Sequence, residues 1–141
     1  MAVIDASVYV ALMNAHEAEH ANSWAWFRQV QSAQEVVSAP AILLAEVASA
    51  LSRGVGDPAL ARRVVEQLQR TQVIDLAPVT LTLAQRAAEI AADYQVRGCD
   101  AVYIALAEQS DDYLVTLDGQ QLERGGKVIT ASRPTLWPAR S

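Results

Sequence analysis

The sequence predicts an α/β protein in which helices cover both faces of a short parallel sheet. Two observations carry this. Short β-branched runs alternate with longer segments of helical periodicity, and no repeat, low-complexity tract or long linker interrupts them. Four acidic residues, each set in an otherwise apolar or small stretch, fall just past strand ends or in the helices that follow. Open parallel sheets gather their ligands at that edge.

The elements read as follows. Val3-Ile4 is a first strand, with a helix from about Ser7. A second helix spans about Ala18 to Ala33, and Glu35 to Ser38 form a second strand. Pro40 opens a helix through Leu51, because a proline's fixed φ and missing N–H suit the first turn. Asp57-Pro58 joins a capping residue to a first-turn proline and starts a helix to about Arg70. Val73 to Leu76 is a third strand. Thr80 caps a long helix with Leu83, Ala87, Ile90, Ala91 and Tyr94 on one face; Gly98 ends it, and Asp100 opens the next. Tyr113 to Thr116 is a fourth strand and Val128-Ile129 a candidate fifth. The two helices between the first strands make the pattern more helical than a plain doubly wound sheet.

Bulk properties narrow the class. The 141 residues fit one domain, taken as 1–132 with a tail over 133–141. Composition is 52% hydrophobic, much of it alanine, and 19% charged, as expected for a soluble, helix-rich globular chain. Because Ala2-Val3-Ile4 reads as a strand, no basic, apolar signal peptide is expected, and no apolar run approaches the roughly 20 residues of a membrane helix. Cys99 is the single cysteine, so no internal disulfide or cysteine metal site is expected. The expected location is cytoplasmic. A net charge of −5 argues against a broad phosphate-gripping surface, so either contact with nucleic acid is local and metal-assisted or the partner is another protein.

The four acids are Asp5 in Val3-Ile4-Asp5-Ala6-Ser7, Glu46 in Leu43-Leu44-Ala45-Glu46-Val47, Asp100 in Gly98-Cys99-Asp100-Ala101-Val102, and Asp118 in Leu114-Val115-Thr116-Leu117-Asp118. An ionised carboxylate in such surroundings neutralises itself or finds a cation. Each has an ordinary alternative. Asp5 and Asp100 suit helix caps, Asp118-Gly119 suits a turn, and Glu46 suits an amphipathic surface, although Leu43, Val47 and Ala50 surround it. Four separate coincidences explain the pattern less well than one shared site, and a divalent cation is the simplest way to hold several carboxylates together.

Other residues read as ordinary. Asp75 points to solvent, Asp111 and Asp112 sit in a polar loop, and Glu66, Glu89 and Asp93 lie on helix surfaces. His16 and His20 have the i, i+4 spacing of a zinc pair but no third ligand. The chain has no glycine-rich phosphate loop and no Gly-x-Ser-x-Gly elbow. Trp24 and Phe27 are expected in the core, while Trp26, on another face, either caps the edge of the core or marks a protein interface, and the interface is the reading preferred.

The four acidic motifs, in this order, resemble the PIN-domain nucleases, and size and compactness make the chain similar to VapC-type toxins. The resemblance covers roughly residues 1 to 132. It implies a three-layer α/β/α fold on a parallel sheet of four to five strands. It also implies a divalent-metal-dependent endoribonuclease, using Mg²⁺ or Mn²⁺, that forms a homodimer and is neutralised by a cognate antitoxin in its active-site groove. Asp5, Glu46, Asp100 and Asp118 would form the acidic quartet, with Ser7 and Thr116 as accompanying hydroxyls. Carboxylate oxygens suit a hard cation. Asp5 and Asp100 are the expected direct ligands, and Asp118 a direct or water-mediated one. Glu46 would bind a second metal or place the attacking water, and Ser7 and Thr116 would orient carboxylates.

Rival classes fit less well. A haloacid-dehalogenase phosphatase needs a second Asp at position 7, which is Ser7, and a receiver domain needs an acidic pair and a lysine where this chain's only one is Lys127. A non-catalytic module that keeps the fold and binds a protein in the groove remains the alternative.

Overall fold

The computed structural model describes residues 1–135, so most of the expected tail, 136–141, lies outside the described residues. Five strands form one parallel sheet in the order β3-β2-β1-β4-β5. They are β1 (Ala2–Ile4), β2 (Val37–Pro40), β3 (Asp75–Ala77), β4 (Tyr113–Val115) and β5 (Ala131–Ser132). The helices are α1 (Ala6–Met13), α2 (His20–Ser32), α3 (Leu43–Ser49), α4 (Pro58–Thr71), α5 (Leu81–Tyr94), α6 (Gly98–Gln109) and α7 (Gly119–Gly125). A π-helical turn, Ala50–Gly54, continues α3.

Helices cover both faces of the sheet, as expected. α6 lies on β1, β2 and β4 with α5 packed against it, while α1 contacts α2 and α3, and α3 contacts α4. The central strand β1 is wholly buried, which suits its unbroken apolar run Ala2-Val3-Ile4. From β1 the chain builds outward through β2 to β3, then returns to place β4 on the other side of β1. The β1–β4 boundary is therefore the topological switch point, where the two crossovers diverge and leave a crevice.

Local chemistry sets several boundaries as expected. Asp57 accepts Leu60 N–H at 3.0 Å and Pro58 begins α4, while Thr80 Oγ1 accepts Leu83 N–H at 3.1 Å at the start of α5. Other boundaries differ. Pro40 ends β2 in register with Ala77 instead of opening a helix, because a fixed φ and missing N–H are tolerated at a strand's end. β2 accordingly sits two residues later than the run Glu35–Ser38. α5 stops at the left-handed Gln95 (φ 55°), and Gly98 begins α6 rather than ending α5. Asp100 therefore lies within the first turn of α6, whose cap position is Arg97. Leu114 and Val115 pair with Ala131 and Ser132, so the fifth strand lies past Val128-Ile129, which pack on the core instead. The short helix α7 fills the space between.

Trp26 is a correction. Its ring is completely buried, with Ser23, Phe27 and Val30 on the same face of α2, so it cannot anchor an interface. Trp24 is the half-buried one: its Nε1 donates to Leu12 O at 2.8 Å, its ring meets Phe27 edge-on at 5.8 Å, and the Arg28 guanidinium lies 5.7 Å from it. Positions 23, 26, 27 and 30 follow the i, i+3, i+4, i+7 spacing of a single buried stripe, which the pairing of Trp24 with Phe27 misphased.

Candidate active site

The site begins with the end of β1. Asp5 follows Ile4 directly and is only 4% exposed, so it must satisfy both carboxylate oxygens within the protein. Ser7 Oγ donates to Oδ1 at 2.5 Å, Thr116 Oγ1 donates to Oδ2, and Val8 N–H donates to Oδ1 at 3.3 Å, capping α1. Neither hydroxyl is free to turn away. Ser7 Oγ accepts Leu117 N–H and Thr116 Oγ1 accepts Asp118 N–H, each at 3.0 Å, so both protons point at Asp5. The capping reading and the site reading of Asp5 are therefore compatible.

Burial pushes the Asp5 carboxyl up from 3.8 to about 6. The donors from Ser7, Thr116 and Val8 pull it down, and the charge of Asp100 adds a smaller push upward. Desolvation wins over three hydrogen bonds, so this carboxylate gains by a nearby cation.

Asp118 follows β4 and caps α7, its Oδ1 accepting the N–H groups of Gln120 at 2.9 Å and Gln121 at 3.1 Å. Its Oδ2 accepts from Arg97, at 3.1 Å, and Arg97 Nε donates to Asp100 Oδ2 at 2.8 Å. One guanidinium thus bridges Asp100 and Asp118. Their hydrogen bonds and charges, Asp100 first, hold Arg97 still more firmly protonated.

Glu46 comes from α3 and is half-buried. It reaches this region through Tyr103, a fully buried residue of α6 whose hydroxyl lies under the influence of Glu46 without meeting hydrogen-bond geometry. Burial above all, then Glu46, Asp5 and Cys99, push Tyr103 ionisation far above its usual range.

Asp5, Ser7, Thr116, Asp118 and Asp100 are thus joined by short contacts, and Glu46 approaches from the opposite helical layer. They do not close into a metal cage: among the described residues, no three acidic, histidine or cysteine side chains stand close enough to hold an ion. The donor set nevertheless fits a hard divalent cation, since Asp100 and Asp118 already share one positive group and Asp5 is buried beside them. His16 and His20 form no such site; His20 Nδ1 is engaged with Ala11 O at 2.7 Å. Sequence reasoning passed over Arg97, Tyr103 and Gln121. Arg97 had a signal, three residues before Asp100 on one helix face. Gln121, which donates to Asp100 O at 3.2 Å, had none.

This arrangement, acids and hydroxyls at the switch point of a parallel sheet, defines a class. The PIN domain family model matches residues 2–127, and the chain belongs to that family. Its fold is similar to VapC20 from Mycobacterium tuberculosis, a sarcin-ricin loop cleaving toxin, with a TM-score of 0.73 at 21% identity over 89% of this chain and 95% of that one. It is also similar to FitAcB from Neisseria gonorrhoeae (TM-score 0.70, 18% identity, 95% and 98% covered). A third similar structure is VapBC2 from Rickettsia felis bound to a promoter DNA fragment (TM-score 0.65, 13% identity, 94% and 97% covered). No curated protein sequence matches the chain. Among the described residues, no helix is long and apolar enough to cross a membrane.

Proposed function

We propose that this chain is a divalent-metal-dependent endoribonuclease that hydrolyses RNA phosphodiester bonds as the toxin of a type II toxin–antitoxin pair. The observation that carries the reading is the buried Asp5 carboxylate at the switch point, held on both oxygens and neighboured by Asp100. Membership of the PIN family supports nuclease chemistry, and the likeness to VapC20 and VapBC2 supports the toxin role.

Asp5 and Asp100 would hold the cation directly, with Asp118 beside them, and Glu46 would place the attacking water or bind a second ion. When bound, Mg²⁺ or Mn²⁺ supplies Lewis-acid polarisation of a phosphate oxygen and acidifies water. The protein's own part is orientation. Ser7 and Thr116 aim the Asp5 oxygens, Gln121 anchors the Asp100 backbone, and the low-dielectric floor around Tyr103 strengthens charge interactions. With a net charge of −5, RNA contact is confined to this groove. The partners in this reading are RNA, a cognate antitoxin in the groove and a second copy of the chain in a homodimer, all in the cytoplasm. Sedimentation as a monomer at micromolar concentration would remove the dimer.

One observation favours the alternative of a non-catalytic protein-binding module: Arg97 already neutralises two of the acids. A metal-titrated cleavage assay on single-stranded RNA, with wild type and Asp5→Asn, separates the readings. Metal-dependent cleavage lost in the variant supports the nuclease. Equal rates, or none in wild type at any Mg²⁺ or Mn²⁺ concentration, support the module.

A further inference from the structure

Arg97 is the one described cation that contacts the acidic quartet, and nothing in the nuclease reading uses it. Its side chain is 68% exposed, whereas those of Asp100 and Asp118 are 16% and 33% exposed. The Asp118 carboxylate and the Asp100 backbone are anchored within the protein, and the arginine is the exposed member. Asp118 is fixed by two backbone N–H groups of α7, and Asp100 sits on a helix tied to α7 by Gln121. Among the described residues the Arg97 side chain is held at its guanidinium tip, from the cap position of α6.

We propose that Arg97 is a positioning residue that serves as the site's exchangeable counterion: it holds Asp100 and Asp118 together in the metal-free protein and competes with the divalent cation for them. The inference rests on the metal-site reading above. The physical basis is like-charge repulsion. Asp5, Asp100 and Asp118 lie at one sheet edge, and without a cation their mutual repulsion would spread the site. A planar guanidinium can donate to two carboxylates at once, whereas an ammonium offers a single point charge. An exposed bridge of this kind is weak enough to be displaced by a doubly charged ion seated between Asp100 and Asp118 in its place. The site is thereby kept assembled for metal, at the cost of some metal affinity.

The test is Mn²⁺ binding to metal-free protein by calorimetry, with thermal melts in EDTA, for wild type, Arg97→Ala, Arg97→Lys and Arg133→Ala. Arg133 serves as a control for charge, since among the described residues its guanidinium donates to the Leu117 carbonyl, at 3.4 Å, and to no carboxylate. Arg97→Ala is expected to bind Mn²⁺ roughly three- to tenfold more tightly while its EDTA midpoint falls, as two weak ion pairs imply. Arg97→Lys is expected to lie between, and Arg133→Ala to match wild type. Mn²⁺ binding by Arg97→Ala no tighter than wild type would overturn the proposal while leaving the metal site intact. An equal gain in Arg133→Ala would overturn it too, by reducing the effect to net charge. If none of the four proteins binds Mn²⁺, the metal-site reading falls and this inference with it.

Discussion

Thr116 donates its hydroxyl to Asp5 Oδ2 across 111 residues of chain, joining the ends of the two strands that flank the switch point. The Thr116 Oγ1 in turn accepts Asp118 N–H, so one side chain orients one acid and fixes the backbone of another.

Thr116→Val keeps the shape of the buried side chain and removes both interactions. The Asp5 carboxyl should become harder to ionise, and Asp118 N–H should lose its partner. Metal affinity or cleavage is expected to fall by about 10- to 100-fold, the usual range for losing an orienting partner. Calorimetry with Mn²⁺ and the RNA assay check it; unchanged values in both would show that Asp5 needs no orientation from Thr116.

Asp5→Asn should abolish metal-dependent cleavage and leave the circular dichroism native-like. Asparagine can still accept Val8 N–H at the start of α1, so the cap survives while the negative charge is lost. Asp100→Asn should behave alike in cleavage. Wild-type rates in both variants would show these acids to be structural only.

The raised Asp5 carboxyl has a defined pH signature. With a folded value near 6 against 3.8, the native state holds this proton more tightly than the unfolded chain. Its contribution to metal-free stability is present at low pH and lost as pH rises through about 6. Relative to Asp5→Asn, wild type should therefore lose on the order of 2–3 kcal/mol between pH 4 and pH 7. Urea unfolding of both proteins in EDTA measures the difference. A constant difference across that range would mean that Asp5 titrates normally.

Metal should reverse that loss. A cation that binds only the native state at about 100 times its dissociation constant adds roughly 2.7 kcal/mol. The melting midpoint should rise with millimolar Mn²⁺ or Mg²⁺ and fall back with EDTA, more steeply at pH 7 than at pH 5. Midpoints indifferent to metal would count heavily against the carboxylate site.

Trp26→Ala should destabilise the monomer fold and not merely an association. Emptying a fully buried indole site costs about 3–5 kcal/mol. The urea midpoint should shift at any protein concentration. A variant as stable as wild type would contradict the burial of this ring.

The sequence by itself determined the class of fold and the candidate acids. Alternating β-branched runs and helical periods impose a parallel sheet, and Asp5, Glu46, Asp100 and Asp118 stand out because a carboxylate in an apolar run is costly alone. Caps at Asp57 and Thr80 were readable because an N-cap is a local bond. What failed was also local in appearance. Trp26 and Trp24 differ by about 200° of helical phase, and only the packing of α2 on α1 decides which is buried. Pro40 suits a strand end as well as a first turn, and pairing with β3 chose the former. β5 and α7 are too short to leave a periodic signal. The Arg97 bridge, the Thr116–Asp5 bond and the approach of Tyr103 to Glu46 were decided by tertiary structure alone. Each joins side chains through space set by strand order, and an exposed arginine at a helix start looks like any solvated cation until the fold brings Asp118 to it.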